Sequence, residues 1–273
     1  MARWWQDSDG GDGFPRAPSQ REWEAMSPGE RARVVASLPG EVTWEEMSPP
    51  EGDRHFRSKI RALDALRGYF ARQRRRVYLA AELPVYYPQE KRFAPDLLAV
   101  LDVEPHERDK WVVSAEGKGL DFVLEVHVGG DRKKDAERNV ERYARLGIPE
   151  YFIYDRGRQR LQGWRLPGPS TRTYVPIVPQ HGRYASELLG LELRVEDERL
   201  RFWAGSAPLL EPEELIARLE DLMGGLQQRA DEEARRAEEE ARRAEEAERR
   251  LAEAERRLAE LELEFARLKG GGR

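Results

Sequence analysis

Apolar residues recur at helical spacing early in the chain and in short continuous runs further on. A helical pattern is predicted over 20–38 and a longer amphipathic helix over 56–72, because apolar positions return there every three or four residues. In the longer helix these positions are Phe56, Ile60, Leu63, Leu66 and Phe70. Asp53 is a fair N-cap for this helix. Residues 1–20 are rich in Gly, Asp, Ser and Pro and are expected to be disordered.

The middle of the chain alternates apolar runs with one further helix. Strands are predicted at 77–87, 96–103, 122–128, 151–154, 160–166, 172–177 and in a hairpin over 191–203 that turns at Glu196-Asp197. Pro84 places the first strand near a sheet edge, whereas the run at 122–128 is apolar on both faces and is expected to be central. Residues 104–118 are polar and are expected to form a hairpin, with Trp111-Val112-Val113 as a short extension. A basic helix over 132–146 ends at Gly147.

A seven-residue repeat runs through the C-terminal part of the chain, from 216 to 268. One seam position holds Ile216, Met223, Ala230, Ala237, Ala244, Leu251, Leu258 and Phe265. The other seam position holds Leu219, Leu226, Glu233, Glu240, Ala247, Ala254, Leu261 and Leu268. A repeat sustained over this length predicts a left-handed coiled coil. The alanines and glutamates in the middle of the repeat would bury little apolar surface, so a two-stranded coiled coil, a three-stranded coiled coil and a lone charged helix all stay open.

The composition restricts the compact part of the chain to its middle. Only 39% of the 273 residues are hydrophobic and 36% are charged, with the charge concentrated at the C-terminus. We therefore expect a flexible arm with a short helix at 1–40, an α/β domain at 41–205 and a coiled-coil helix at 212–269. The net charge of −5 argues against indiscriminate nucleic-acid binding.

The composition also bears on location and on metal ligands. The chain has no cysteine, which excludes disulfides and thiolate metal sites. No apolar run approaches the ~18–20 residues of a membrane span, and the N-terminus has no apolar signal region. A cytoplasmic protein without membrane association is expected.

Two carboxylates occupy positions where burial makes charge costly. Asp96 opens one apolar run, and Glu125 lies inside the next between Leu124 and Val126. A charge in a buried strand persists only when it is paired, hydrogen-bonded or bound to a metal. Carboxylates on neighbouring strands can hold Mg²⁺ or Mn²⁺, and such an ion activates water against a phosphodiester. The alternative is structural: Asp96 merely begins a strand after Pro95, and Glu125 pairs with an arginine.

Basic residues follow Glu125 along the chain. His127 lies two residues later on the same strand face, where it can bind the metal, contact phosphate or be structural. Lys133 and Lys134 lie at the start of the predicted helix, where main-chain N–H groups already attract anions. One of these lysines can reach a phosphate, and solvation of both is the alternative.

The same helix presents polar side chains at four-residue spacing. Asp135, Asn139 and Tyr143 share one helix face, which is expected to turn toward the sheet or a cleft. Asn139 and Tyr143 are therefore candidates for a supporting role behind the metal ligands.

Several segments in a fixed order carry a family resemblance over about 41–164. They are the Met47-Ser48-Pro49-Pro50 lead, the first long helix, Pro95-Asp96, the Glu125 strand, the helix with Asp135 and Tyr143, and Gly147-Ile148-Pro149-Glu150-Tyr151. This set resembles the Uma-two family of restriction-endonuclease-like proteins, part of the PD-(D/E)xK nuclease superfamily. The resemblance implies an α/β restriction-endonuclease-like core, with a central mixed sheet flanked by helices, and metal-dependent phosphodiester hydrolysis.

The resemblance also assigns positions and shows a departure. Asp96 and Glu125 fall on the metal-binding positions, but the superfamily's lysine, two residues after the glutamate, is His127 here. A shifted lysine position in the following helix aligns with Asn139. Either Lys133 or Lys134 supplies the charge, or the site binds metal and cuts poorly or not at all.

These features together predict an Mg²⁺- or Mn²⁺-dependent endonuclease that acts on DNA. The coiled coil is expected to assemble it into a homo-oligomer, with a dimer favoured. The alternative function is a scaffold or partner-binding protein built on a catalytically degenerate nuclease fold. A nucleotide-binding enzyme is disfavoured, because Gly129-Gly130 lacks the lysine-serine ending of a P-loop.

Overall fold

The computed structural model describes residues 14–41, 52–129 and 133–270, and in the last range the side chains of 137–264. Its helices are α1 (Gln20–Ala25), α2 (Pro28–Ser37), α3 (Gly52–Gln73), α4 (Val113–Glu116), α5 (Lys133–Leu146) and α6 (Pro212–Gly270). Its strands are β1 (Val77–Ala80), β2 (Val85–Tyr86), β3 (Leu97–Leu101), β4 (Trp111–Val112), β5 (Phe122–His127), β6 (Glu150–Asp155), β7 (Arg160–Arg165), β8 (Val175–Pro176), β9 (Tyr184–Ser186), β10 (Leu191–Glu196), β11 (Arg199–Ala204) and β12 (Ala207–Pro208). The predicted α/β fold is confirmed.

A six-stranded mixed sheet forms the centre of the fold, in the order β1-β3-β5-β6-β7-β8. Its β5–β6 pair is parallel and its other pairs are antiparallel. Helix α5 connects the parallel strands, as a parallel pair requires a crossover. The strand predicted to be central, β5, lies between β3 and β6, which confirms the reading of its apolar faces.

Alternation along β5 buries its side chains on two faces of the sheet. Phe122, Leu124 and Val126 pack in one cluster with the apolar stripe of α3. Val123 packs in the other cluster with Tyr143 of α5. Glu125 has the same parity as Val123, so it belongs to the strand face that α5 covers.

Helix α3 forms where it was predicted, but its buried face is rotated at the N-terminal end. Phe56 was expected in the core and is 58% exposed. His55 is half-buried and Lys59 is buried at the positions that continue the apolar stripe backwards. Asp53, expected as the N-cap, lies within the first turn and pairs with Arg57. The first turns of α3 therefore direct polar side chains inward.

The strand predicted at 77–87 is two strands in different sheets, so this prediction was wrong. The chain turns at Glu82, whose φ is +53°, and β2 leaves the central sheet to pair in parallel with β4. Trp111 of β4 is fully buried against Tyr78 of β1, with ring centroids 5.2 Å apart. The segment 104–118 does not form the expected hairpin; the extended stretch predicted at 111–113 is β4 over its first two residues, and α4 begins at the third. Burial of the Trp111 indole fixes the path of this segment. The alternation of apolar and polar residues in the sequence does not reveal that burial.

Helices α1 and α2 form within the segment 20–38 that was predicted to be helical. Each begins with a capping box, in which Ser19 pairs with Glu22 and Ser27 with Glu30. Trp23, Val34 and Leu38 pack in a cluster with Tyr86 of β2 and Val112 of β4.

A second, antiparallel sheet has the order β12-β11-β10-β9. The predicted hairpin within it is confirmed, with its turn one residue later than expected. Asp197 and Glu198 both have positive φ values, at 47° and 60°, as a tight hairpin turn needs. Leu193 and Phe202 bring this sheet into the same core cluster as α3.

The chain divides into two compact units, Met1–Pro212 and Glu213–Arg273. The predicted long C-terminal helix is α6, of 59 residues. Apolar side chains at the predicted seam are exposed, for example Ile216 at 56% and Leu258 at 61%. None of the helices in the described part of the chain is both long and apolar enough to cross a membrane.

Candidate active site

The pairing of β3 with β5 sets Asp96 beside Glu125. The register Leu97↔Leu124, continued by one residue, makes the two acids direct neighbours across the strands. The main-chain N–H of Asp96 donates to Glu125 Oε2 at 3.3 Å, and that of Val126 donates to Asp96 Oδ2 at 2.8 Å. Each carboxylate is thus held by the backbone of the strand that carries the other.

Helix α5 supports Glu125 through a tyrosine. The hydroxyl of Tyr143 donates to Glu125 Oε1 at 2.8 Å. The Tyr143 ring is buried edge-on against Tyr151 of β6, with centroids 4.9 Å apart. Asn139, one turn earlier, is half-buried and slightly opposes the rise that burial causes in the pKa of Tyr151. Tyr143 is in direct contact with the site, and Asn139 lies behind it.

Two basic residues of α3 reach Asp96, and the sequence analysis missed both. His55 Nε2 lies 2.9 Å from Asp96 Oδ1, and Lys59 Nζ lies 4.0 Å from the same oxygen. Lys59 is 4% exposed and also forms an ion pair with Glu82, at the turn between β1 and β2. The ammonium therefore lies between two carboxylates.

A signal for these residues was present in the sequence. The stripe of Leu63, Leu66 and Phe70, continued backwards at 3.6 residues per turn, passes through 59 and 55–56. Hydrophobicity alone favours Phe56 as the buried residue, whereas the helix turns the polar pair His55 and Lys59 inward. A histidine and a lysine four residues apart on a core-facing stripe indicate a buried partner of opposite charge.

The two acids have opposite pKa shifts. Burial alone would raise the pKa of Asp96, but the hydrogen bond and charge of His55, the Val126 amide and Lys59 outweigh it and hold that pKa below its ordinary value. Burial raises the pKa of Glu125 well above its ordinary value, and the charge of Asp96 adds to this; the Tyr143 hydroxyl opposes it only in part. These shifts favour the ionised form of Asp96 and the protonated form of Glu125.

The remaining predicted residues, which are His127, Lys133 and Lys134, follow Glu125 along the chain. His127 is half-buried and pairs in register with Asp155 of β6. Its main-chain carbonyl accepts the N–H of Arg156 at 2.7 Å. Lys133 and Lys134 begin α5, and their side chains lie outside the described residues.

Comparison with known proteins identifies the family. A family model, Uma2, described as "Putative restriction endonuclease", matches residues 22–196, more than half of the chain. The chain belongs to the Uma2 (Uma-two) family. Its match to the crystal structure of a "putative nuclease belonging to DUF820" from Anabaena variabilis has a TM-score of 0.44 and 12% identity, over 56% of this chain and 83% of that one. No curated protein matches the sequence.

The acid pair of this Uma2 chain offers oxygen ligands of the kind that hard divalent cations bind. No group of three or more His, Cys, Asp or Glu side chains that could hold a metal occurs among the residues whose positions are described. The pair therefore fits an ion such as Mg²⁺, which retains several waters, better than an ion that needs a full cage of side chains. Binding between Asp96 and Glu125 requires Glu125 to release its proton.

The charge expected from the superfamily's lysine also has a source in this Uma2 chain. His127 and Asn139 stand at the two lysine positions that the resemblance implies. Lys59, from a different element, brings an ammonium to within 4.0 Å of Asp96. The departure from the motif therefore coincides with a positive charge supplied by α3.

Proposed function

We propose that the chain is a divalent-metal-dependent nuclease that hydrolyses phosphodiester bonds in DNA. The observation that carries this proposal is the pair Asp96 and Glu125, held together by main-chain hydrogen bonds and with pKa values shifted in opposite directions, within a chain of the Uma2 family. Two coupled carboxylates whose pKa values are pushed apart are typical of functional sites. Asp96 and Glu125 would hold Mg²⁺ or Mn²⁺.

The chain's own residues prepare this site in two ways. His55 and the Val126 amide fix Asp96 as an ionised ligand. Tyr143 fixes the orientation of Glu125 and favours its ionised form, so it assists release of the Glu125 proton. When bound, the divalent cation supplies Lewis acidity that polarises the phosphodiester and lowers the pKa of a water.

Lys59 supplies positive charge beside Asp96. Its ammonium is buried between Glu82 and Asp96, so it stabilises negative charge at the site in the absence of a lysine at position 127 or 139. Lys133 and Lys134 remain candidates for phosphate contact from the start of α5. His127 remains a candidate for a contact with phosphate at the end of β5.

Cleavage of plasmid DNA tests the proposal. Wild-type protein is expected to nick or linearise supercoiled DNA with Mg²⁺ or Mn²⁺ and not with EDTA, and Asp96→Asn and Glu125→Gln are expected to be inactive. Glu90→Gln, which removes a carboxylate paired with Arg142 and Arg145, is the matched control and is expected to cut normally. Equal cutting by wild type and both site variants would refute the proposed site.

We further propose that α6 assembles the chain into a homodimeric coiled coil. The large exposed residues of its heptad seam, such as Met223 at 70% and Leu258 at 61%, support this, because burial against a second helix would remove them from water. Sedimentation equilibrium is expected to give a dimer for the wild type and a monomer for the double variant Leu258→Lys, Leu261→Lys. The double variant Glu253→Lys, Glu260→Lys, at a heptad position away from both seams, is the control, and a monomeric wild type would contradict the assembly.

A non-catalytic scaffold is the second candidate function. The absence of lysine at positions 127 and 139 favours it. This function requires that the wild type fail to cut DNA with either metal while α6 still assembles the chain.

A further inference from the structure

An arginine-rich cleft opens beside the first turns of α3. Its cavity, of about 360 Å³, is bounded by α3, by the turn after β6 and by the β10–β11 hairpin. The arginines that line it are Arg54, Arg57, Arg61, Arg156 and Arg199. Three acids also line it, namely Asp53, Asp197 and Glu198. Positive side chains therefore outnumber negative ones around this cavity.

The internal pairing of the cleft leaves positive charge available. Arg57 pairs with Asp53 at 2.8 Å on the exposed side of α3. Arg61 and Arg199 each lie 3.5 Å from the buried carboxylate of Glu211, which also pairs with Arg201 at 3.1 Å. A single carboxylate does not neutralise two guanidinium groups, and surface pairs such as Arg57–Asp53 exchange readily with a stronger anion.

Arg54 and Arg156 connect the cleft to the acid pair. Arg54 is exposed and forms no ion pair with a described residue, while its carbonyl accepts the Arg156 guanidinium at 2.8 Å. Arg54 immediately precedes His55, whose imidazole contacts Asp96. Arg156 follows β6, and its main-chain N–H donates to His127 at the end of β5. The cleft therefore lies at the end of the central sheet that carries the acid pair.

We infer that this cleft binds the phosphodiester backbone of duplex DNA on one side of the bond to be cut. Planar guanidinium groups match phosphate oxygens in a bidentate geometry that lysine does not reproduce. With an overall charge of −5, the chain needs a local cluster of this kind to hold a polyanion. This inference rests on the proposed function, because it makes the cleft the substrate-binding part of that same site.

Fluorescence anisotropy with a labelled DNA duplex in EDTA tests the inference without cleavage. The double variant Arg54→Ala, Arg57→Ala is expected to weaken binding by about tenfold and to lower the slope of log Kd against log salt by about two, one for each lost phosphate contact. The control double variant Arg67→Ala, Arg72→Ala removes the same charge from exposed positions of α3 outside the cavity. It is expected to bind as wild type does.

A variant on β11 controls for a local structural effect of the two substitutions in α3. Arg199→Ala is expected to weaken binding and to lower the salt slope by about one. Equal losses in the cleft and control variants, or no binding by wild type, would overturn the inference.

The outcomes also separate this inference from the proposed function. Cleft-dependent binding without Mg²⁺-dependent cutting would support the inference and refute the nuclease. Metal-dependent cutting that survives loss of Arg54 and Arg57, with unchanged DNA binding, would refute the inference alone.

Discussion

Glu125→Gln is expected to gain stability relative to the metal-free wild type as the pH rises above 4.5, although it removes half of the proposed metal site. Burial and the charge of Asp96 raise the pKa of Glu125 well above its ordinary value of 4.5. The folded protein then keeps a proton that the unfolded chain has released. A raised folded-state pKa lowers the free energy of unfolding as the pH rises above the unfolded value. Glutamine does not ionise, so this cost disappears.

The magnitude follows from two opposing contributions. Each pH unit between 4.5 and the raised pKa of Glu125 costs the wild type about 1.4 kcal/mol. The variant keeps the bond from the Tyr143 hydroxyl but loses the bond from the Asp96 N–H, because an amide nitrogen replaces Oε2. The lost bond costs about 1 kcal/mol. The variant should thus be slightly less stable than the wild type near pH 4.5 and more stable at higher pH. Above the raised pKa of Glu125, the difference in the free energy of unfolding should stop changing with pH.

Urea unfolding followed by tryptophan fluorescence, repeated over a pH series, measures this difference. All seven tryptophans precede α6, so the signal reports the unit that contains the site. Glu90→Gln, which breaks ion pairs of 3.1 and 2.7 Å to Arg142 and Arg145, is expected to be destabilising instead. A difference between Glu125→Gln and wild type that stays constant or falls with pH would refute the raised pKa of Glu125.

Three further outcomes are expected. Mn²⁺ affinity, measured by calorimetry, should increase with pH, because ion binding must displace the proton whose pKa is raised at Glu125. Lys59→Met should raise the acid limit of Mn²⁺ binding, which is the lowest pH at which the ion still binds, because the Lys59 charge helps to lower the pKa of Asp96. Gly163→Ala should lower the free energy of unfolding in urea by about 1–3 kcal/mol, since its Cβ would lie 2.6 Å from the Phe152 ring in the central sheet.

Each of these outcomes has a direct control. Titrations at each pH in two buffers of different ionisation enthalpy separate the heat of Mn²⁺ binding from that of buffer protonation, and an Mn²⁺ affinity independent of pH would contradict the first prediction. Lys118→Met, which removes an ion pair of 2.9 Å to Asp121, should leave the acid limit of Mn²⁺ binding unchanged. Gly168→Ala, where an added Cβ meets no atom within 4 Å, should unfold as wild type does, and an equal effect at both glycines would contradict the third.

The sequence was sufficient for the two strands that carry the acids. Pro95-Asp96 and a glutamate inside an apolar run are local features, and antiparallel pairing of neighbouring strands brings them together. Tyr143 was found from four-residue spacing along α5, although its hydroxyl contact with Glu125 needed the three-dimensional packing.

The contribution of α3 was not found, because it depends on helix rotation. A shift of about one residue around the helix exchanges Phe56 for His55 at the buried stripe, and hydrophobicity alone favours Phe56. Burying Phe56 in place of His55 would take a partner from the carboxylate of Asp96, and removing one partner of a buried ion pair costs about 3–5 kcal/mol. Lys59 was passed over for the same reason.

The turn at Glu82 shows a second limit of sequence patterning. The run 77–87 looks continuous because residues on both sides of the turn are buried. They are buried in different sheets, and the partner of β2 is β4, about 25 residues away along the chain. Long-range pairing of this kind carries no local periodicity, so the strand break became visible only in the fold.

Calorimetric titration of Mn²⁺ into wild type and Asp96→Asn tests whether the acid pair binds a divalent cation. Near-stoichiometric binding is expected for the wild type and no binding for the variant, whose fold is checked by its tryptophan fluorescence. Binding that persists unchanged in Asp96→Asn, or a wild type that binds no ion, would contradict a metal site at Asp96 and Glu125.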